Sequence, residues 1–328
     1  MVFLRGSTGN SMPTASRKPS ASGLPSNHPW PTSRPSFQKH ATACTPDKDG
    51  LNFLALKLFL SSGKLIKKTI SKNMTKKIPL TIVIPVYNEA SRLERTFTSL
   101  NQWRVPVDLK ISQIIFVNDG STDASLKILK NTPLKFSKKV ISYRQNQGKG
   151  YAVRRGMLAS TSSYTLLMDA DIATPLNELK KLLPFMHNQT GLIIGTRKNG
   201  HSTVTIHQPW IRENMGKVFT KLTQLILGVN VTDFTCGFKA FSREAVDKIF
   251  PLSQINRWGY DSEIIFLCSK FNLSIQEVPV KWADQKGTKV NLVKDSINSL
   301  LELLTIRLNS ISGAYSTNQN FSPLGILK

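Results

Sequence analysis

From Leu80 onward the sequence alternates short β-branched apolar runs with stretches whose apolar residues recur at helical spacing. This alternation constrains the fold more than any other feature, because strands separated by helices pair parallel and are covered on both faces. Strands are predicted over residues 80–85, 114–117, 140–143, 164–168 and 192–196, and the first helix carries Leu93, Phe97 and Leu100 on one face. Sheets of this kind bind ligands outside the carboxyl ends of their strands. Asn88, Glu89, Asp119, Lys149, Asp169 and Asp171 all fall at those ends.

The run Leu166-Leu167-Met168-Asp169-Ala170-Asp171 leaves its apolar strand on two carboxylates. If the strand geometry continues, Asp169 and Asp171 share a face. Two carboxylates there repel unless a cation compensates, and a hard divalent ion such as Mg2+ or Mn2+ keeps positions for phosphate oxygens. A solvated loop would carry the same residues, so the pair alone leaves both readings open. Asn118-Asp119-Gly120-Ser121-Thr122-Asp123 is turn chemistry leading into a helix cap. A carboxylate at that point can also accept from a base N–H or a ribose hydroxyl. Lys149, between Gly148 and Gly150, is either a helix entry or a neutraliser of donor phosphate. It is not part of a P-loop, which needs an upstream glycine and a following Ser or Thr, and Val153 breaks a dinucleotide fingerprint.

Beyond Arg197, helices are predicted over residues 210–227, 261–270 and 292–308, and a strand over 274–280. The last helix carries Ile297, Leu300, Leu301, Leu304 and Leu308 as a stripe of ordinary core width, so core packing is expected, with a membrane-surface role as the alternative.

The composition, 40% hydrophobic and 20% charged, is that of a globular protein, but the net charge is +24. Residues 1–78 hold 13 Lys/Arg against 2 Asp/Glu and residues 79–328 hold 31 against 18, so both parts are basic. Such a balance favours nucleic acid, an anionic membrane surface or phosphorylated substrates. Cys44, Cys236 and Cys268 form no zinc or redox pattern, as in a reduced, cytosol-facing protein. No apolar run is long enough to span a membrane. Residues 1–78 read as a disordered basic leader, either a transit peptide or an over-extended reading frame with Met74 as the true start, the second being the expectation. The domain is then 79–315, with a tail at 316–328.

Ile84-Pro85-Val86-Tyr87-Asn88-Glu89, Asn118-Asp119-Gly120-Ser121-Thr122-Asp123 and Asp169-Ala170-Asp171, each after a strand, together resemble family 2 glycosyltransferases. Gly195-Thr196-Arg197, Asp233 with Cys236-Gly237-Phe238-Lys239, Arg257-Trp258-Gly259-Tyr260-Asp261, Val280-Lys281-Trp282 and Gly287-Thr288-Lys289 resemble the dolichyl-phosphate β-glucosyltransferases and, more broadly, polyprenyl-phosphate glycosyltransferases. The resemblance spans residues 80–315. It implies one α/β nucleotide-sugar-binding domain of the GT-A type, with a mostly parallel sheet flanked by helices. It also implies an inverting, metal-dependent enzyme that moves a hexose, foremost glucose from UDP-glucose, onto a polyprenyl phosphate. Peripheral attachment at the cytosolic membrane face follows from such an acceptor.

Pro85, Tyr87, Asn88 and Glu89 would line the nucleoside pocket, with Asp119 on the base or ribose and Lys149 and Lys289 on the donor phosphates. Asp169 and Asp171 would hold Mg2+ or Mn2+, and Arg197 and Arg212 would grip the acceptor phosphate. Asp261 would be a base in a relative with a hydroxyl acceptor, or would orient the sugar or an arginine here. Ala173 stands where the mannosyl branch usually has Gln, which favours glucose. A mannosyl or other sugar transferase, or one acting on a hydroxyl, is the alternative. From another class, the rival is a catalytically idle nucleotide- or nucleic-acid-binding protein. The intact acidic and arginine positions, and the lack of an aromatic-basic stripe, argue against that rival and against nucleic acid as a partner. Two features depart from the glucosyl branch: no N-terminal membrane helix is seen, and the leader matches nothing.

Overall fold

A computed structural model describes residues 77–198, 203–206, 210–284 and 292–316. Residues 1–76 of the expected leader, with Met74, and 317–328 of the expected tail lie outside them, as does Lys289, while Ile78, the last residue assigned to the leader, already opens a strand. Strand β1 (Ile78–Val86) lies inside the sheet, and its alternation sorts the core into two layers. Leu80, Ile82, Ile84 and Val86 face α1 (Ala90–Gln102), packing with Leu93, Phe97 and Leu100. Val83 faces the other way, toward Ala152, Val153 and Met157 of α3 (Lys149–Leu158). A Cβ on Gly156 would stand 2.4 Å from Val83 Cγ1, so only glycine lets α3 lie this close to the sheet.

The remaining strands of the main sheet are β2 (Leu109–Asp119), β3 (Lys138–Tyr143), β4 (Tyr164–Leu167), β5 (Leu192–Thr196), β7 (Lys239–Ser242) and β8 (Ile275–Pro279). Their order is β3-β2-β1-β4-β7-β5-β8. The sheet is mostly parallel, as expected. Strand β7 is the exception and runs antiparallel to both β4 and β5. Strands β6 (Thr203–Ile206) and β9 (Lys281–Ala283) form a separate parallel pair. The connecting helices include α2 (Ser125–Asn131), α4 (Leu183–His187), α5 (Trp210–Leu227), α6 (Arg243–Ile249), α7 (Tyr260–Lys270) and α8 (Leu292–Ile311).

Two expectations change. Strand β4 stops at Leu167, so Asp169 and Asp171 sit on a turn, where Ile172 has a positive φ of 55°, and not on a continuing strand. The α8 stripe expected in the core is not there: Ile297, Leu300, Leu301, Leu304 and Leu308 are all exposed, as is Ile311, and the helix packs inward instead through Leu303 and Ile306. Helix α5, against which α8 packs, likewise exposes Val218, Leu222 and Leu225. Among the described residues no helix is long and apolar enough to cross a membrane.

Candidate active site

The carboxyl ends of β1 and β2 are laced together by short polar side chains. Asn88, in the left-handed region at φ 53°, donates its N–H to Ser121 Oγ at 2.9 Å and accepts from Thr122 N at 2.8 Å. Glu89 N–H donates to Ser125 Oγ at 2.8 Å, and Asp123 accepts from Ala90 N. Tyr87 is exposed beside this lattice and Pro85 half-buried. The two motifs therefore form one rim.

Asp119 is buried, and its carboxylate accepts from Asn146 Nδ2 at 2.7 Å, Gln147 N at 2.8 Å and Gly148 N at 3.0 Å. Gly148 takes φ 101°, a conformation that favours glycine. Asp119 thus shapes the loop that delivers Lys149 at the start of α3.

Lys149 Nζ lies 2.7 Å from Asp169 Oδ1, with the rings of Trp258 and Tyr260 at 5.7 and 5.9 Å. Burial alone would lower the Lys149 ammonium, but Asp169 and Asp261 hold it above its ordinary value. Burial would raise the Asp169 carboxyl, yet Lys149, Lys239 and Arg197 hold it below its usual range. Asp171 shifts the other way, raised by burial and by the charge of Asp169, although it accepts from Ala173 N at 3.0 Å. The turn carrying both is held by Thr96 Oγ1, donating to Ala170 O, and by Ala283 N, donating to Ala173 O at 3.0 Å. It is tightest against Gly237, where a Cβ would stand 1.9 Å from Asp169 Oδ2.

Arg197, at the end of β5, is clamped by Asp233: Nε and one Nη donate to its two carboxylate oxygens at 2.8 and 2.7 Å. That Nη also reaches Thr235 Oγ1 at 2.9 Å, and the guanidinium lies 5.1 Å from the centre of the Trp282 ring. Asp233 is fully buried, which opposes ionisation, but Arg197 and further donors bring its carboxyl down to about 2. Glu277 supports this clamp from β8, accepting from Thr232 N and Asp233 N at 3.0 Å.

Asp261 accepts from the fully buried Lys239 Nζ at 2.5 Å, and the same ammonium donates to Phe234 O and Cys236 O. Lys239 therefore ties the 233–238 loop, which holds Arg197 and underlies Asp169, to the first turn of α7. Arg212 lies in the first turn of α5, and its side chain is outside the described residues.

Three features escaped sequence reasoning: the Lys239–Asp261 pair, the Glu277 support and the contact of Gly237 with Asp169. Gly237, Lys239 and Asp261 stand in the motifs that run from Asp233 to Lys239 and from Arg257 to Asp261, which carry no structural reason for these contacts, and nothing in the sequence marks Glu277.

Two carboxylates on a tight turn, with hard oxygens and a glycine making room beside one of them, suit a divalent cation. Among the described residues no group of three or more His, Cys, Asp or Glu side chains could hold a metal unaided.

Residues 81–250 match the family described as "Glycosyl transferase family 2". The chain belongs to that family. Within it, the chain is 33% identical over 258 residues to a dolichyl-phosphate β-glucosyltransferase of Dictyostelium discoideum, covering 75% of this chain and 79% of the relative. The enzyme of the same name from Saccharomyces cerevisiae is 32% identical, covering 73% and 77%. The family fold is shared with the mannosyl-3-phosphoglycerate synthase of Rubrobacter xylanophilus, with a TM-score of 0.53, 15% identity and coverage of 75% and 78%. It is shared too with the glucosyl-3-phosphoglycerate synthase of Mycobacterium tuberculosis, solved with Mn2+, UDP-glucose and phosphoglyceric acid, with a TM-score of 0.51, 18% identity and coverage of 70% and 80%.

Proposed function

We propose that residues 79–315 transfer glucose from UDP-glucose to a polyprenyl phosphate, with inversion, at the cytosolic face of a membrane. The observation that carries this reading is the charge arrangement around Asp169, which lies against Lys149 and is stabilised by Lys239 and Arg197. Such a site suits a reaction in which one phosphate leaves and another attacks. The names of the relatives support both the sugar and the lipid phosphate.

Asp169 and Asp171 would hold the divalent ion, Mg2+ or Mn2+, which would neutralise charge developing on the leaving diphosphate. Pro85, Tyr87, Asn88 and Glu89 form the rim offered to the nucleoside, and Asp119 positions the loop carrying Lys149. Lys149, with Lys289, meets the donor phosphates. Arg197, pre-set by Asp233, presents a planar guanidinium to the acceptor phosphate with Arg212 as its companion.

A phosphate acceptor needs no general base, because its second pKa is about 6 and it is mostly dianionic at neutral pH. Asp261 fits that chemistry: with Lys239 on its carboxylate, it orders the site rather than awaiting a hydroxyl proton. The exposed apolar side chains of α5 and α8, with the exposed cations Lys217, Lys221 and Arg307 on the same helices, would rest on the anionic membrane that carries the acceptor.

The test is incubation of purified protein with Mg2+ or Mn2+, polyprenyl phosphate and labelled UDP-glucose or GDP-mannose. Butanol-extractable label is expected from UDP-glucose alone, and is lost on chelation or in Asp171→Asn. Label from GDP-mannose alone would overturn the sugar assignment, and no label from either would overturn the reading.

A further inference from the structure

The Asp169 carboxylate already has a cation against it. Lys149 Nζ lies 2.7 Å from Asp169 Oδ1, so one of the two charges meant for a metal is matched by the chain's own ammonium. A divalent ion entering beside that ammonium would meet strong like-charge repulsion, since charges a few ångströms apart in a half-buried site are poorly screened. It would also find few ligands, because among the described residues no third His, Cys, Asp or Glu joins the pair. Hard divalent ions take about six oxygens. A nucleoside diphosphate supplies what is missing: oxygens for the metal and negative charge for the ammonium.

The surroundings let the ammonium move while its backbone stays fixed. Gly150, next in the chain, is packed so closely that a Cβ would stand 2.4 Å from Ile255 O, and Tyr151 N–H donates to Asn256 O at 3.2 Å. By contrast, the lysine ends in a flexible four-carbon stem, and the faces of Trp258 and Tyr260 flank the ammonium where it rests on Asp169, so they can hold its charge as it passes to a neighbouring anion.

We propose that Lys149 is a gate on metal entry: it neutralises Asp169 until a nucleoside diphosphate arrives, then passes to the diphosphate, so that metal and donor bind together and the metal alone is refused. This inference rests on the metal-dependent donor site proposed above and adds an order of binding to it. No bond is made or broken in the exchange. The ammonium moves from one oxygen anion to another.

The test is Mn2+ binding followed by the free-ion electron paramagnetic resonance signal, with and without UDP, in the unaltered protein and in K149M, K149Q and K149R. The unaltered protein is expected to bind Mn2+ at least about tenfold tighter with UDP than without, within the usual range of coupling between two ligands. Removing the charge in K149M should tighten UDP-free Mn2+ binding by about tenfold and shrink the gain from UDP. K149Q, also neutral but still able to donate a hydrogen bond to Asp169, should do the same and serves if K149M does not fold. K149R, which keeps the charge, should follow the unaltered protein. Mn2+ binding without UDP that is unchanged or weaker in both neutral variants, while UDP still promotes it in the unaltered protein, would overturn the gate and leave the donor site standing. If the unaltered protein holds no Mn2+ even with UDP, the metal site itself fails and the gate with it.

Discussion

Asp169 fills the space that a side chain at position 237 would take, so the smallest possible addition there strikes the carboxylate itself. Gly237→Ala is expected to lower transfer by about 100-fold, since misplacing a positioned group by about an ångström costs that much. Its thermal melt should change far less, and weakened Mn2+ binding with UDP would show that the damage is at the carboxylate. Lys239→Met removes one partner of a fully buried ion pair and leaves Asp261 charged and unpaired. The expected loss is about 3–5 kcal/mol by denaturant unfolding, and Lys239→Met/Asp261→Leu should recover part of it. Equal stability in the single and double variants would contradict the pairing. Asp233 gives a pH signature. Its folded carboxyl titrates at about 2, below the ordinary aspartate value of about 3.9, so its contribution is complete above that value and lost as pH falls toward 2. The stability gap between the unaltered protein and Asp233→Asn should therefore be steady from pH 7 to about 5 and narrow below about 4, by an amount on the order of 2 kcal/mol.

Among the elements, α8 divides most clearly between two uses of the same residue type. Leu303 lies in the core, whereas Leu301, Leu304 and Leu308 face outward with the exposed apolar residues of α5. Leu303→Ala should cost about 2–5 kcal/mol, as buried leucines do. Leu301, Leu304 and Leu308 changed together to Ser should each alter stability by no more than about 0.5 kcal/mol and sharply reduce sedimentation with anionic vesicles. Undiminished vesicle binding would remove this face from the account. The division was not legible in the sequence, because an apolar stripe has the same period whether it meets a core or a membrane. The strands were legible: β-branched runs between polar turns placed β1 to β5 within a few residues. Strand β7 was missed because it is four residues long and opens on Lys239, whose burial depends on a partner on a distant helix. Its reversed direction leaves no mark in composition. At Asp169 the sequence leaves a continuing strand and a loop equally open, because what decides for the turn, the contacts with Gly237 and Thr96, exists only in the folded chain.

At the scale of the whole molecule, the sheet gathers strand ends into one row: the rim after β1 and β2, the acidic turn after β4 and the arginine after β5. The strong positive charge was an ambiguous signal in the sequence, compatible with nucleic acid, membrane or phosphorylated ligand. Folding spreads it over three uses: Lys149 against a carboxylate, Arg197 in a clamp, and lysines beside an exposed apolar face. Preset cations, with Asp261 held by Lys239, suit an acceptor that arrives already ionised. The most direct test compares polyprenyl phosphate with the matching polyprenol, both offered with labelled UDP-glucose and Mn2+. Label on the phosphate and none on the alcohol is the result predicted; transfer to the alcohol at a comparable rate would contradict it.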